Sequence, residues 1–143
     1  MGKTTPLAPY VLRPGQAGDR GFVIDTWLQT YRRSQFADPI PDFCYWSRFG
    51  HVGLVEEMAE TAMFTVACLP GDERFIYGWS CSDPVSGALH YVFVRQEYRG
   101  QGFGTLLMGE RSRPLKITHI TADFSRYLAR GPVLFVNPYR SHQ

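Results

Sequence analysis

The chain has 143 residues, 44% hydrophobic and 20% charged, a balance that fits one globular domain over residues 1–143 and excludes disordered and fibrous classes. Its 15 basic and 13 acidic residues leave a formal charge of +2, too small an excess to carry non-specific nucleic-acid binding. Three cysteines, Cys44, Cys68 and Cys81, include no close-set pair, which argues against a disulfide framework or a Cys-based zinc site and points to a reducing cytoplasm.

The N-terminus, MGKTTPLAPYVL, has no apolar secretory core, and no run approaches the roughly 20 apolar residues that span a bilayer, so a soluble intracellular protein is expected. Residues 10–12 read as a short strand ended by Arg13-Pro14-Gly15. Asp19 is placed to cap a helix over 19–33, in which Phe22, Val23, Thr26, Trp27 and Thr30 recur at helical spacing. Arg32 and Arg33 close it, as the helix dipole favours. A proline-bearing stretch, 34–42, breaks the pattern before one or two helices carrying Phe43, Trp46, Phe49, Leu54, Val55 and Met58. Runs 63–68 and 75–80 about Pro70-Gly71-Asp72 read as a hairpin, and 89–94 as the third strand of a meander. A helix over 102–113, a strand at 117–121, a short helix at 124–129 and a last strand at 133–136 follow. This order describes an α/β fold with a mixed, mostly antiparallel central sheet flanked by helices.

Between the 89–94 strand and the next helix lies Glu97-Tyr98-Arg99-Gly100-Gln101-Gly102-Phe103-Gly104-Thr105. Alternating glycines ahead of a helix expose main-chain N–H groups at its positive end, a site for phosphate oxygens. No lysine follows Gly104, which rules out a Walker loop, and the G-x-G-x-G spacing after a meander departs from the dinucleotide fingerprint.

Arg99, Gly102 and Gly104 satisfy R/Q-x-x-G-x-G/A, and the run from Val94 to Leu107 resembles the strand, loop and helix of the GCN5-related N-acetyltransferase (GNAT) family. Leu12-Arg13-Pro14 with Asp19 resembles that family's opening, and residues 27–32 and 89–94 resemble small acetyltransferase-like proteins of phages and prophages. The resemblance implies an acyl-CoA N-acyltransferase fold and an acetyl-CoA-dependent N-acetyltransferase acting on a primary amine by direct attack. Phe93 and Val94 would meet the pantetheine arm, and Arg99, Gly100, Gln101, Gly102, Phe103, Gly104 and Thr105 the pyrophosphate. His90 shares the strand parity of a glutamate base found in several members; its other reading is a histidine bonded beside the core. Tyr127, four residues before Gly131, is the implied acid for the leaving thiolate, although the usual asparagine is missing and Gly-Phe is Gly131-Pro132. Trp27, Tyr31 and Arg32, with the loop through Phe36, would line the acceptor side; His119 could also face the cleft. No metal site is expected.

Two rivals remain open at this point. One keeps the fold and the cofactor but takes a nucleic-acid base as acceptor, drawing on Arg32, Arg33, Arg95, Arg99, Arg126, Arg130 and Arg140; exposed aromatic residues beside arginine would favour it. The other is a non-catalytic CoA-binding or interaction module. An exposed edge near 133–136 is a natural place for a homodimer to form.

Overall fold

A computed structural model describes residues 7–33, 37, 40–109, 115–118 and 133–135. Strand β1 (Val11–Pro14) leads through a 3-10 turn into α1 (Arg20–Arg32), then α2 (Asp42–Tyr45) and α3 (His51–Thr61). The meander β2 (Met63–Leu69), β3 (Asp72–Ser82) and β4 (Leu89–Val94) follows, then α4 (Phe103–Met108), β5 (Leu115–Ile117) and β6 (Val133–Phe135). Among the described residues six strands form one sheet in the order β1-β2-β3-β4-β5-β6. The β1/β2, β2/β3 and β3/β4 pairs are antiparallel, whereas β4/β5 and β5/β6 are parallel. The sheet is therefore mixed and mostly antiparallel, as the element order implies.

Alternation along the strands sorts side chains to two layers. Val66, Cys68, Trp79, Cys81, Tyr91 and Phe93 face α1 and α3, packing on Val23, Trp27, Tyr31, Leu54, Val55 and Met58. The other face, with Ala67, Tyr77, Val92 and Val94, is covered by Phe103, Leu106 and Leu107 of α4. Two hydroxyls on the apolar stripe of α1 meet the polar tips of sheet aromatics: Trp79 Nε1 donates to Thr26 Oγ1 at 2.9 Å, and Thr30 Oγ1 pairs with Tyr91 Oη at 2.7 Å. This is why threonine suits positions that pattern alone would assign to hydrocarbon.

Several boundaries move from their sequence-based positions. β1 runs on through Pro14, which is tolerated because β1 is an edge strand. α4 stops at Met108 because Gly109 turns to φ +63°. β5 begins at Leu115, two residues ahead of expectation. The helix expected at 124–129 lies outside the described residues, as do Tyr127, Gly131, His119 and Phe36. Among the described residues no helix is long and apolar enough to cross a membrane.

Asp19 stands at the N-terminus of α1 without bonding its turn. Its carboxylate instead receives both terminal nitrogens of Arg13, at 2.7 and 2.9 Å, and the Gln16 N–H at 2.8 Å. The Arg13 hydrogen bond is the main force holding that carboxyl below its usual range. With side chains only 9% and 11% exposed, the pair ties β1 to the start of α1. Asp19→Asn should cost about 3 kcal/mol in denaturant unfolding, because Arg13 is left charged and uncompensated. Since the carboxyl titrates below its unfolded value, this contribution is present above about pH 4 and is lost as the pH falls through the depressed pKa.

His51 supplies a second acid-sensitive group. It is 2% exposed, with its ring stacked between Tyr31 at 5.2 Å and Tyr45 at 4.7 Å. Burial, with the Arg32 charge adding, pushes its pKa down to about 4. The unfolded chain therefore takes up a proton from about pH 6.5 downward that the folded chain refuses, and stability falls from there toward pH 4 by up to about 3 kcal/mol. His51→Phe keeps a flat ring between the tyrosines and should flatten that slope; an unchanged slope would assign it to other groups.

Candidate functional site

At the C-terminal end of β4 the chain passes through a 3-10 turn, Gln96–Tyr98, into the glycine loop and α4. Gly100 and Gly102 hold φ of +83° and +104°, left-handed values that a side chain would strain. Gly102 is the residue that opens α4, and the first intrahelical bond runs from Leu106 N–H to its carbonyl. The N–H groups of the first turn, Phe103, Gly104 and Thr105, are those that helix geometry leaves at its positive end. An added Cβ would meet nothing within 4 Å at Gly100, so it is the backbone conformation and not crowding that calls for glycine there. Phe103 is 1% exposed and its ring stacks on Tyr77 at 5.0 Å, so this residue anchors the loop to the sheet.

Main-chain orientation separates the two strand residues expected to meet an acyl donor. Arg95 N–H bonds Tyr77 C=O at 2.8 Å, so across that trans peptide the Val94 carbonyl points away from β3, toward the β5 side. There it accepts Arg99 Nε at 3.1 Å. The Phe93 carbonyl lies against Gly78 of β3, and the Phe93 ring, 9% exposed, joins the α1 layer edge-on to Phe22. Val94 thus offers a main-chain group on the outer side, and Phe93 offers packing.

His90 occupies an irregular position. Cys81 pairs with Tyr91 and Ser82 with Leu89, so His90 is the additional residue of a β-bulge. The bulge breaks the alternation: Val92 packs toward α4, yet the His90 ring lies 6.3 Å from Trp27 on the α1 side at 23° to it. It is 7% exposed, and its Nδ1 sits 2.9 Å from Thr118 Oγ1, just past β5. Nearby, the Asp83 carboxyl is held below its usual range first by the Val85 N–H, then, against its partial burial, by the Ser86 hydroxyl and the charge of His90. Nothing in the sequence pairs His90 with Thr118, since the contact spans 28 residues and depends on the parallel register.

The residues expected on the acceptor side are placed as follows. Trp27 is fully buried between Tyr91, Trp79 and His90, and Tyr31 is 9% exposed against His51 and Tyr91. Arg32 donates to the carbonyls of Ala37 and Ile40 at 3.0 and 2.6 Å, pairs with Asp42 and lies 4.9 Å over the Tyr45 ring. Exposed instead are Phe43 at 80%, Trp46 at 43% and Phe49 at 102%, on α2 and the turn after it. Arg48, also exposed, stands in the same turn.

The chain matches the model of the acetyltransferase (GNAT) family over residues 22–111. Among solved structures it is similar to a candidate acetyl transferase from Pyrococcus furiosus, at 19% identity and a TM-score of 0.58 over 89% of this chain and 95% of that one. A GCN5-related N-acetyltransferase from Rhodopseudomonas palustris matches at 14% identity and a TM-score of 0.57, covering 88% and 82% of the two chains. These likenesses show the fold. A search of curated proteins gave no match.

Gly102→Ala places a Cβ at φ +104°. It should lower the unfolding midpoint by an amount corresponding to about 1–2 kcal/mol, whereas Gly104→Ala, inside α4, should not.

Proposed function

The chain belongs to the acetyltransferase (GNAT) family, and from that premise we propose that it is an acetyl-CoA-dependent N-acetyltransferase acting on a primary amine. The observation that carries the reading is the loop itself. Two left-handed glycines lead into a helix whose first-turn N–H groups are left without intrahelical partners, beside a strand whose Val94 carbonyl is turned away from β3. A diphosphate fits such a cradle, because every contact it needs comes from the main chain. When bound, the cofactor supplies an acetyl thioester. Residues Arg99 to Thr105 hold its pyrophosphate in this reading, and Val94 its pantetheine arm after Arg99 releases the carbonyl.

In the proposed reaction the amine nitrogen bonds to the thioester carbonyl carbon as the C–S bond breaks. His90 takes the proton that the amine loses, directly or through a water. The proposed role requires the tautomer in which Nδ1–H donates to Thr118 Oγ1 and Nε2 carries the lone pair; Trp27, stacked at 6.3 Å, restrains the plane of the ring. Tyr127 returns a proton to the thiolate; its assignment rests on its spacing from Gly131. Trp27 and Tyr31 support this arrangement from the core. Arg32 holds the segment through Ile40 and Asp42 that flanks the acceptor.

A second acceptor class, an unpaired nucleic-acid base, is favoured by one observation. Phe43, Trp46 and Phe49 are exposed in the same stretch of chain as the exposed Arg48, and stacking with phosphate contact is how single strands are held. The small phage-type subfamily likeness belongs with this reading.

Calorimetric titration with acetyl-CoA tests the reading. We expect micromolar binding, weakened about a hundredfold by Gly102→Trp in a folded protein. A folded wild-type protein that binds neither acetyl-CoA nor CoA would overturn it. In a thiol-release assay screened over small amines, peptides and single-stranded oligonucleotides, His90→Ala should cut kcat by about a hundredfold or more while cofactor affinity is kept. A rate unchanged across pH would remove His90 as base.

A further inference from the structure

We propose that the N-terminal segment 7–10 is a wall of the cofactor site, and that Gln101 is a positioning residue whose side chain holds the phosphate loop against it. The proposal rests on the acyl-CoA reading above. Gln101 lies between Gly100 at φ +83° and Gly102 at φ +104°, two residues whose freedom would otherwise let the loop sample many conformations. Its Oε1 accepts the Ala8 N–H at 2.9 Å, a contact across 93 residues of sequence.

The segment that supplies this donor is itself secured. Tyr77 Oη donates to the Pro9 carbonyl at 2.9 Å, and the Tyr10 ring stands edge-on to Phe103 at 5.7 Å. Tyr77 and Phe103 stack on each other, so both ends of the tie rest on the same aromatic pair beneath α4. Leu7 Cδ2 comes within 4.0 Å of where a Cβ on Gly102 would stand, which brings the segment to the lip of the loop. Because the tie uses a side-chain acceptor, it consumes none of the loop's main-chain N–H donors. A loop ordered in advance spares the ligand the entropic cost of ordering it, so the tie should be read out as affinity.

The experiment is a double-mutant cycle on acetyl-CoA affinity with Gln101→Met, which removes the acceptor, Ala8→Pro, which removes the donor, and the pair together. Each single change should raise Kd about fivefold, and the double variant should be no worse than either, since one hydrogen bond is removed only once. Hydrogen exchange supplies a readout that a merely structural role would not move. Acetyl-CoA should slow exchange of residues 7–12 and of the loop together in the wild type, but of the loop alone in Gln101→Met. A Gln101→Met affinity within twofold of wild type, multiplying effects in the double variant, or an equal slowing of residues 7–12 in both proteins would each overturn the proposal. Those results presuppose wild-type binding; a wild-type protein that binds no acetyl-CoA overturns the cofactor reading and this inference with it.

Discussion

Trp27 is the piece on which the arrangement of the molecule turns. Fully buried on α1, it lies nearly parallel to Tyr91 at 5.7 Å, tilts against Trp79 at 5.8 Å and faces His90 at 6.3 Å. One ring thus meets β3, β4 and the bulge at once. Large aromatic faces bury more area per side chain than any aliphatic residue, and their offset stacking restricts how α1 can slide on the sheet. The hydrogen bond that Thr26 accepts from Trp79 and the one between Thr30 and Tyr91 add direction to a contact that would otherwise be only apolar. The same contact that seats the helix also sets the plane of the imidazole, so packing and the candidate chemistry are decided together.

Several of the described arginines collect main-chain carbonyls. Arg13 reaches Glu73 C=O besides Asp19, Arg32 gathers Ala37 and Ile40, and Arg99 takes Val94. Arg95 donates to Ile76 C=O while its guanidinium lies 5.0 Å from the Phe22 ring and 5.3 Å from that of Phe75. A planar, weakly hydrated cation with five donors suits these half-apolar positions. A count of arginines in the sequence therefore does not show how many guanidinium groups are already engaged with the main chain.

The meander and the glycine loop were legible because each is a local pattern: alternation of two, a helical stripe, and a left-handed turn that only glycine enters without strain. Spacing also placed Trp27 and Tyr31 on one helix face. It could not say whether that face meets solvent or sheet, because a helical period carries no information about what stands opposite. His90 shows a different limit. Its parity is a property of one strand, while the bulge that turns its ring is a property of two strands in register. Asp19 likewise reads as a cap from its neighbours alone, and only β1 brings Arg13 to claim its carboxylate. The tie from Gln101 to Ala8 spans most of the chain and leaves no local trace.

The change of strand direction at β4 has a consequence for how the chain assembles. The antiparallel block from β2 to β4 joins consecutive strands by short turns, so its pairings close small loops early. The parallel partners β5 and β6 can dock only after a longer crossover has formed, and the first such crossover contains the glycine loop and α4. Contact order therefore predicts that the loop which reads as a cofactor cradle joins an early-forming block to a later one. A ligand held there would clamp the two halves together, acting as a kinetic brake on unfolding as much as a reactant.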